Sequence, residues 1–168
     1  MEIRIEKAIP SDAAMLLEYL KQVGGETDNL TFGPEGMPFS VEAEAEFVSS
    51  MENSIDNIML LAKSDDKIVG CASLNRLPRR MKHRGDFAIS VAKDYWNKGI
   101  GSQLLNNIIT FAKENDFEVI DLQVRGDNKS AIHLYEKHGF EKIGEHPAFF
   151  KIDDENISFY IMCLELNE

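Results

Sequence analysis

The chain has 168 residues and a formal charge of −11, a length that suits one core and predicts a single domain over residues 1–168. No apolar run approaches the ~20 residues of a membrane-spanning helix, and the acidic balance excludes nucleic acid as a partner, because duplex binding needs Lys and Arg to neutralise phosphates. Cations, polyamines or basic peptides suit such a surface better. The opening Met1-Glu2-Ile3-Arg4-Ile5 alternates like a strand and lacks the order of a signal peptide, so the cytoplasm is the expected location.

After this first strand, Ser11 is placed to cap a helix over about 11–23, with Ala13, Leu16, Leu17, Leu20 and Val23 on its apolar face and Gly24-Gly25 ending it. The stretch 26–39 carries Gly33, Pro34, Gly36 and Pro38 and reads as an ordered loop. Ser40 then caps a second helix with Val41, Ala45, Val48 and Met51 on one face, while Glu42, Glu44 and Glu46 read as a solvated face.

The runs 58–62 and 67–77, joined across Ser64-Asp65-Asp66, predict a β-hairpin. Residues 86–92 alternate Phe87, Ile89 and Val91 against Asp86, Ala88 and Ser90, the period of a central strand. Leu104, Leu105, Ile108, Ile109, Phe111 and Ala112 give 102–115 the clearest helical spacing. A strand over 119–124, a short helix over 130–138 and an extended chain with a turn at 153–156 complete the order. The fold class expected is mixed α/β, rather than a doubly wound parallel sheet.

Cys71 and Cys163 lie far apart without a C-x-x-C spacing and read as reduced thiols. His133 and His138 are five apart, which rotates them off a shared helical face, and His83 and His146 have no companion at ligand spacing, so no metal site is expected.

The densest signal is Val91-Ala92-Lys93-Asp94-Tyr95-Trp96-Asn97-Lys98-Gly99-Ile100-Gly101-Ser102, a strand running through a loop into a helix. A helix N-terminus presents backbone N–H groups without intrahelical partners and a partial positive charge, so it favours an anion. Gly99 and Gly101 allow close backbone approach and positive φ, and Lys98 adds a charge, an arrangement that suits a pyrophosphate. The dinucleotide fingerprint and the P-loop are both absent.

This stretch resembles the coenzyme A motif of the GNAT acetyltransferase superfamily, Q/R-x-x-G-x-G/A between a strand and a helix. Trp96 stands in place of Gln or Arg and reads as a packing residue. A second match, N-x-x-A-x-x-x-Y-x-x-x-G-F, falls at Asn128 to Phe140, so the resemblance covers about residues 60–145, and residues 1–57 match only in layout.

The resemblance implies a mostly antiparallel central sheet flanked by helices, acetyl-CoA as the acyl donor, and a primary amine as the acceptor. It implies that Ile89 and Val91 offer backbone groups to the pantetheine arm, with Val91 N–H polarising the thioester carbonyl, and that Asn97, Lys98, Gly99, Ile100, Gly101 and Ser102 hold the pyrophosphate. Asn128 corresponds to a residue that touches the cofactor arm, with Ser130 nearby, and Tyr135 to the general acid for the departing thiolate.

Many relatives carry a Glu as base on the strand before the loop. Asp86 is the nearest carboxylate here and is expected to act as base, directly or through a water that Ser90 helps to place; a strand-end ion pair is the competing role for Asp86. The loop from Glu26, the second helix and the last turn are expected to build the acceptor site. Phe32, Met37, Phe39, Phe149 and Phe150 are candidate walls, and Glu35 and the 153–155 turn candidate cation attractors. The leading expectation is acetylation of a small cationic metabolite, polyamine, amino compound or antibiotic. A peptide N-terminus as acceptor and a non-catalytic acyl-CoA sensor are the alternatives, and a homodimer is a family-level expectation.

Overall fold

The computed structural model describes residues 2–166. These form seven strands and four α-helices, with short 3-10 turns between them. The strands are β1 (Ile3–Lys7), β2 (Asn57–Ser64), β3 (Lys67–Arg76), β4 (Arg84–Val91), β5 (Val119–Arg125), β6 (Glu141–Ile152) and β7 (Glu155–Glu165). The helices are α1 (Ala13–Glu26), α2 (Val41–Met51), α3 (Ile100–Glu114) and α4 (Lys129–Lys137). The sheet order is β1-β2-β3-β4-β5-β7-β6. Every neighbouring pair is antiparallel except β4 with β5, so the mixed, mostly antiparallel expectation holds.

Side chains alternate across each strand, and the two sheet faces are covered differently. Phe87 of β4 and Ile120, Leu122 and Val124 of β5 join the core built around α3, with Ile89 and Val91 packed against it. Ile100, Leu104, Leu105 and Ile108 of α3 are at most 1% exposed, each contributing about 2 kcal/mol of burial. On the opposite face α1 and α2 close a second core with Leu16, Tyr19, Val23, Val48 and Leu61. Lys63 pins this layer to the sheet edge. Its Nζ lies 2.8 Å from Asp12 Oδ1 and 2.9 Å from Glu6 Oε1.

Three local expectations are corrected. Ser11 does not cap α1; the Asp12 carboxylate accepts from Ile9 N–H at 2.9 Å instead, and a 3-10 turn over Pro10–Asp12 precedes the helix. Gly24 and Gly25 lie inside α1 rather than after it; the Gly33 carbonyl of the following loop passes so close to Gly24 that a Cβ there would collide with it. Ser40 does cap α2, its Oγ accepting from Ala43 N–H at 3.0 Å, but the buried face of that helix is Glu44, Val48 and Met51. Val41 is 46% exposed and Glu44 only 4%, so Glu44 is not part of a solvated face. Among the described residues no helix is long and apolar enough to cross a membrane.

Candidate active site

The ladder between β4 and β5 runs for only three residue pairs, Arg84–Val119, Gly85–Ile120 and Asp86–Asp121. Beyond Asp86 the two strands part: β4 stays paired with β3 through Val91 and β5 stays paired with β7 through Arg125. On β4 the even-numbered residues turn their backbone groups to the β3 side, as Leu77 N–H to Arg84 carbonyl and Ala92 N–H to Val69 carbonyl show, both at 2.9 Å. Backbone groups alternate in direction along a strand, so Phe87, Ile89 and Val91 turn theirs into the split. The Val91 carbonyl accepts from Trp96 Nε1 at 2.8 Å. Trp96 is 44% exposed, which corrects its reading as a packing residue: it ties the loop back onto the end of β4.

Immediately after β4 the chain reaches the N-terminus of α3. Asn97 and Gly99 both adopt left-handed backbone, with φ of 61° and 79°, and Gly99 is the N-cap without a side chain to offer. The N–H groups of Ile100, Gly101 and Ser102 precede the first intrahelical bond, which Gln103 N–H makes to the Gly99 carbonyl at 3.1 Å. A Cβ on Gly99 would meet no atom within 4 Å, so the outer side of this turn is open. Gly101 serves a different end, since a Cβ there would press on Leu134 of α4 at 3.2 Å. Open backbone donors at a 15-residue helix, next to unpaired strand edges, fit an extended ligand with a phosphate end.

Tyr135 and Asp86 stand on opposite faces of the sheet. Tyr135 belongs to the core around α3, its ring edge-on to Phe87 at 6.2 Å and tilted against Phe140 at 5.7 Å. Burial pushes its hydroxyl well above the usual tyrosine value, so it keeps its proton. Among the described residues no buried side-chain polar atom is sealed off without a partner, and this hydroxyl, which bonds to none of them, therefore opens onto solvent space. Asp86 lies at the apex of the split, with Gln123 Nε2 at 3.4 Å from its Oδ1. Burial raises its carboxyl, with the Asp121 charge adding to that and Gln123 and Arg84 opposing it. Arg84 pairs with Asp121 at 2.7 Å, not with Asp86, which corrects the strand-end ion pair. Asn128 caps α4, its Oδ1 accepting from Ala131 N–H at 3.3 Å, and Ser130 is exposed beside it.

The chain is similar to known proteins in both sequence and fold. The model of the "Acetyltransferase (GNAT) family" aligns with residues 26–140. The chain belongs to the GNAT family. A crystal structure of a GNAT acetyltransferase from Streptococcus pneumoniae superposes with a TM-score of 0.94 at 34% identity, covering 98% of this chain and 99% of that one. The N-alpha-acetyltransferase RimI of Mycobacterium tuberculosis is 33% identical over 54% of this chain and 56% of its own length. The L-amino acid N-acetyltransferase AaaT of Escherichia coli is 34% identical over 62% and 65%. The chain thus spans less than two thirds of the curated relatives it matches.

In this GNAT chain the face opposite α3 carries the polar groups. Ser90 shares a 2.9 Å hydrogen bond with Tyr19 of α1. Burial above all, then Cys71, raises the Tyr19 hydroxyl. The Arg125 Nη1 reaches the Asp28 carbonyl at 3.5 Å, linking the end of β5 to the 27–40 loop. Phe149, Phe150 and Phe159 stack at the same end of the sheet, with centroids 4.4 to 5.7 Å apart, while Phe39 is 49% exposed. Glu35 is held by Gly33 N–H at 2.8 Å, which turns it onto its own loop. Cys71 and Cys163 are free and partly buried.

Sequence reasoning passed over Tyr19, Gln123 and Glu44. For Glu44 a signal existed: it precedes Val48 and Met51 by four and seven residues, the spacing of one helical face.

Proposed function

We propose that the chain transfers an acetyl group from acetyl-CoA to the primary amine of a small cationic acceptor, by direct attack without an acyl-enzyme. The observation that carries this reading is the split between β4 and β5, which lays the Ile89 backbone groups and the Val91 N–H, the Val91 carbonyl being held by Trp96, beside the open N-terminus of α3. The pantetheine arm pairs along this edge as an added strand does, with Ile89 and Val91 supplying the groups and Val91 N–H facing the thioester carbonyl. Asn97 to Ser102 receive the pyrophosphate, and Lys98 adds charge. Asn128 and Ser130 flank the arm from α4.

The split also connects the two faces of the sheet. Tyr135, protonated on the α3 side, supplies the proton to the departing thiolate. Asp86, on the other side, receives the proton that the acceptor ammonium must lose. For an alkylamine of pKa ~10.4 that deprotonation costs roughly 4.6 kcal/mol at pH 7, against about 1 kcal/mol for an α-amine near 7.8. A thiol of pKa ~8.5 leaves readily, so the heavier demand falls on Asp86.

The test is thiol release from acetyl-CoA with a panel of polyamines, amino acids, aminoglycosides and short peptides, the acetylated product being identified by mass. Release with one class of small amine is expected. Release with short peptides alone moves the acceptor to a protein N-terminus, and acetyl-CoA binding without release under any amine would reduce the chain to an acyl-CoA sensor.

A further inference from the structure

Glu44 is a carboxylate without a counter-ion in a place where one is expensive to do without. It occupies the inward face of α2 with Val48 and Met51 and is 4% exposed. Among the described residues nothing bonds to or pairs with its carboxylate, and burial alone raises it above the ordinary glutamate value. Its charge is felt by the Cys71 thiol, which burial first and Glu44 second push up to about 12. Cys71 lies opposite Ser90 in the β3–β4 register. Ser90 in turn sits between Ile89 and Val91, whose backbone groups line the split, and its hydroxyl holds Tyr19 at 2.9 Å. α2 docks on α1 and β2, and its Val48 shares a core with Tyr19 and Leu61 and the adjoining Cys71, so Glu44 lies on the face of the sheet that also carries Ser90 and Asp86. Four residues of β4, about 13 Å, separate Asp86 from the Ser90 level.

Withdrawing a carboxylate from water without a partner is unfavourable, and nothing in the packing of α2 requires a charge at this position. Its oxygens are not sealed from solvent, since no buried polar atom among the described residues lacks both partner and access. We propose that Glu44 is the counter-ion for a second cationic group of the acceptor, so that the substrate class is an amine bearing a positive charge besides the amine that is acetylated. The inference rests on the acetyltransferase reading and narrows it. A diamine or basic amino compound places one nitrogen at the split and its other charge against Glu44, whereas a plain monoamine leaves Glu44 unpaired.

The experiment is a calorimetric titration of the full chain, in the presence of coenzyme A, with diaminobutane and with butylamine. Wild type is expected to bind the diamine at least tenfold more tightly. Glu44→Gln, shown to be folded by its melting curve, is expected to erase that preference while leaving coenzyme A affinity unchanged, and Glu44→Asp, which keeps the charge, to retain part of it. Equal affinity for the two amines in wild type, or a preference that survives in Glu44→Gln, overturns the assignment. Thiol release from acetyl-CoA is followed with the same amines. A diamine preference without release removes the acetyltransferase reading and keeps the counter-ion; release without preference does the reverse.

Discussion

Tyr135 is locked by the Phe87 and Phe140 rings, so removing its hydroxyl leaves the packing in place. Tyr135→Phe is expected to keep acetyl-CoA affinity and to lower kcat about tenfold, less than the roughly 10²–10⁴-fold usual for a general acid because a thiol is an easy leaving group. Equal turnover in steady-state assays would remove Tyr135 from the mechanism. Asp86 acts as base only when ionised, and its carboxyl is raised chiefly by burial. The rate is therefore expected to fall as pH drops through a value above the ordinary aspartate range, and Asp86→Asn to abolish that limb of the kcat/KM profile. Glu44 has a stability consequence of its own. Its folded-state pKa is raised, so its ionisation opposes folding above the unfolded value and costs nothing below it. Glu44→Gln should thus melt higher than wild type at pH 7, the gain vanishing as pH falls below that of an unperturbed glutamate. A gain that persists in acid would point to packing instead.

At the scale of elements, the turn into α3 depends on Gly99 at φ 79°. Because a Cβ there meets nothing within 4 Å, Gly99→Ala is expected to cost only the left-handed backbone strain, about 1 kcal/mol, measured by urea unfolding. Lys63 is different in kind. It is 8% exposed and joins Asp12 and Glu6, and Lys63→Met leaves Asp12 buried without its partner, a loss of about 3 kcal/mol. The strands and α3 were legible in the sequence because their apolar periods are long and uninterrupted. The end of α1 was not: Gly24-Gly25 carries a local stop signal, yet the helix runs on to Glu26 and Gly24 instead makes room for the close approach of the 27–40 loop. Glu44 was hidden for a related reason. Glutamates at alternate positions look like a solvated face, and only the docking of α2 on the sheet decides which of them turns inward.

In the whole molecule, the site exists because β5 pairs with β7 for seven residues and with β4 for three. The ladder with β7 draws β5 away from β4 and opens the sheet beside α3. The two motifs, Trp96 to Gly101 and Asn128 to Phe140, were readable because they sit in continuous sequence. The face opposite α3 was not, since Tyr19 with Ser90 and Gln123 with Asp86 pair across elements far apart in sequence. Acetyl-CoA is expected to bind along this split with its pyrophosphate at the α3 N-terminus. Calorimetric titration of wild type and Gly99→Glu with acetyl-CoA, beside NADH and ATP, tests it most directly. Saturable binding of acetyl-CoA in preference to both controls, lost in a Gly99→Glu protein that still folds, is the predicted result. Equal binding of all three ligands, or acetyl-CoA affinity unchanged in Gly99→Glu, would contradict it.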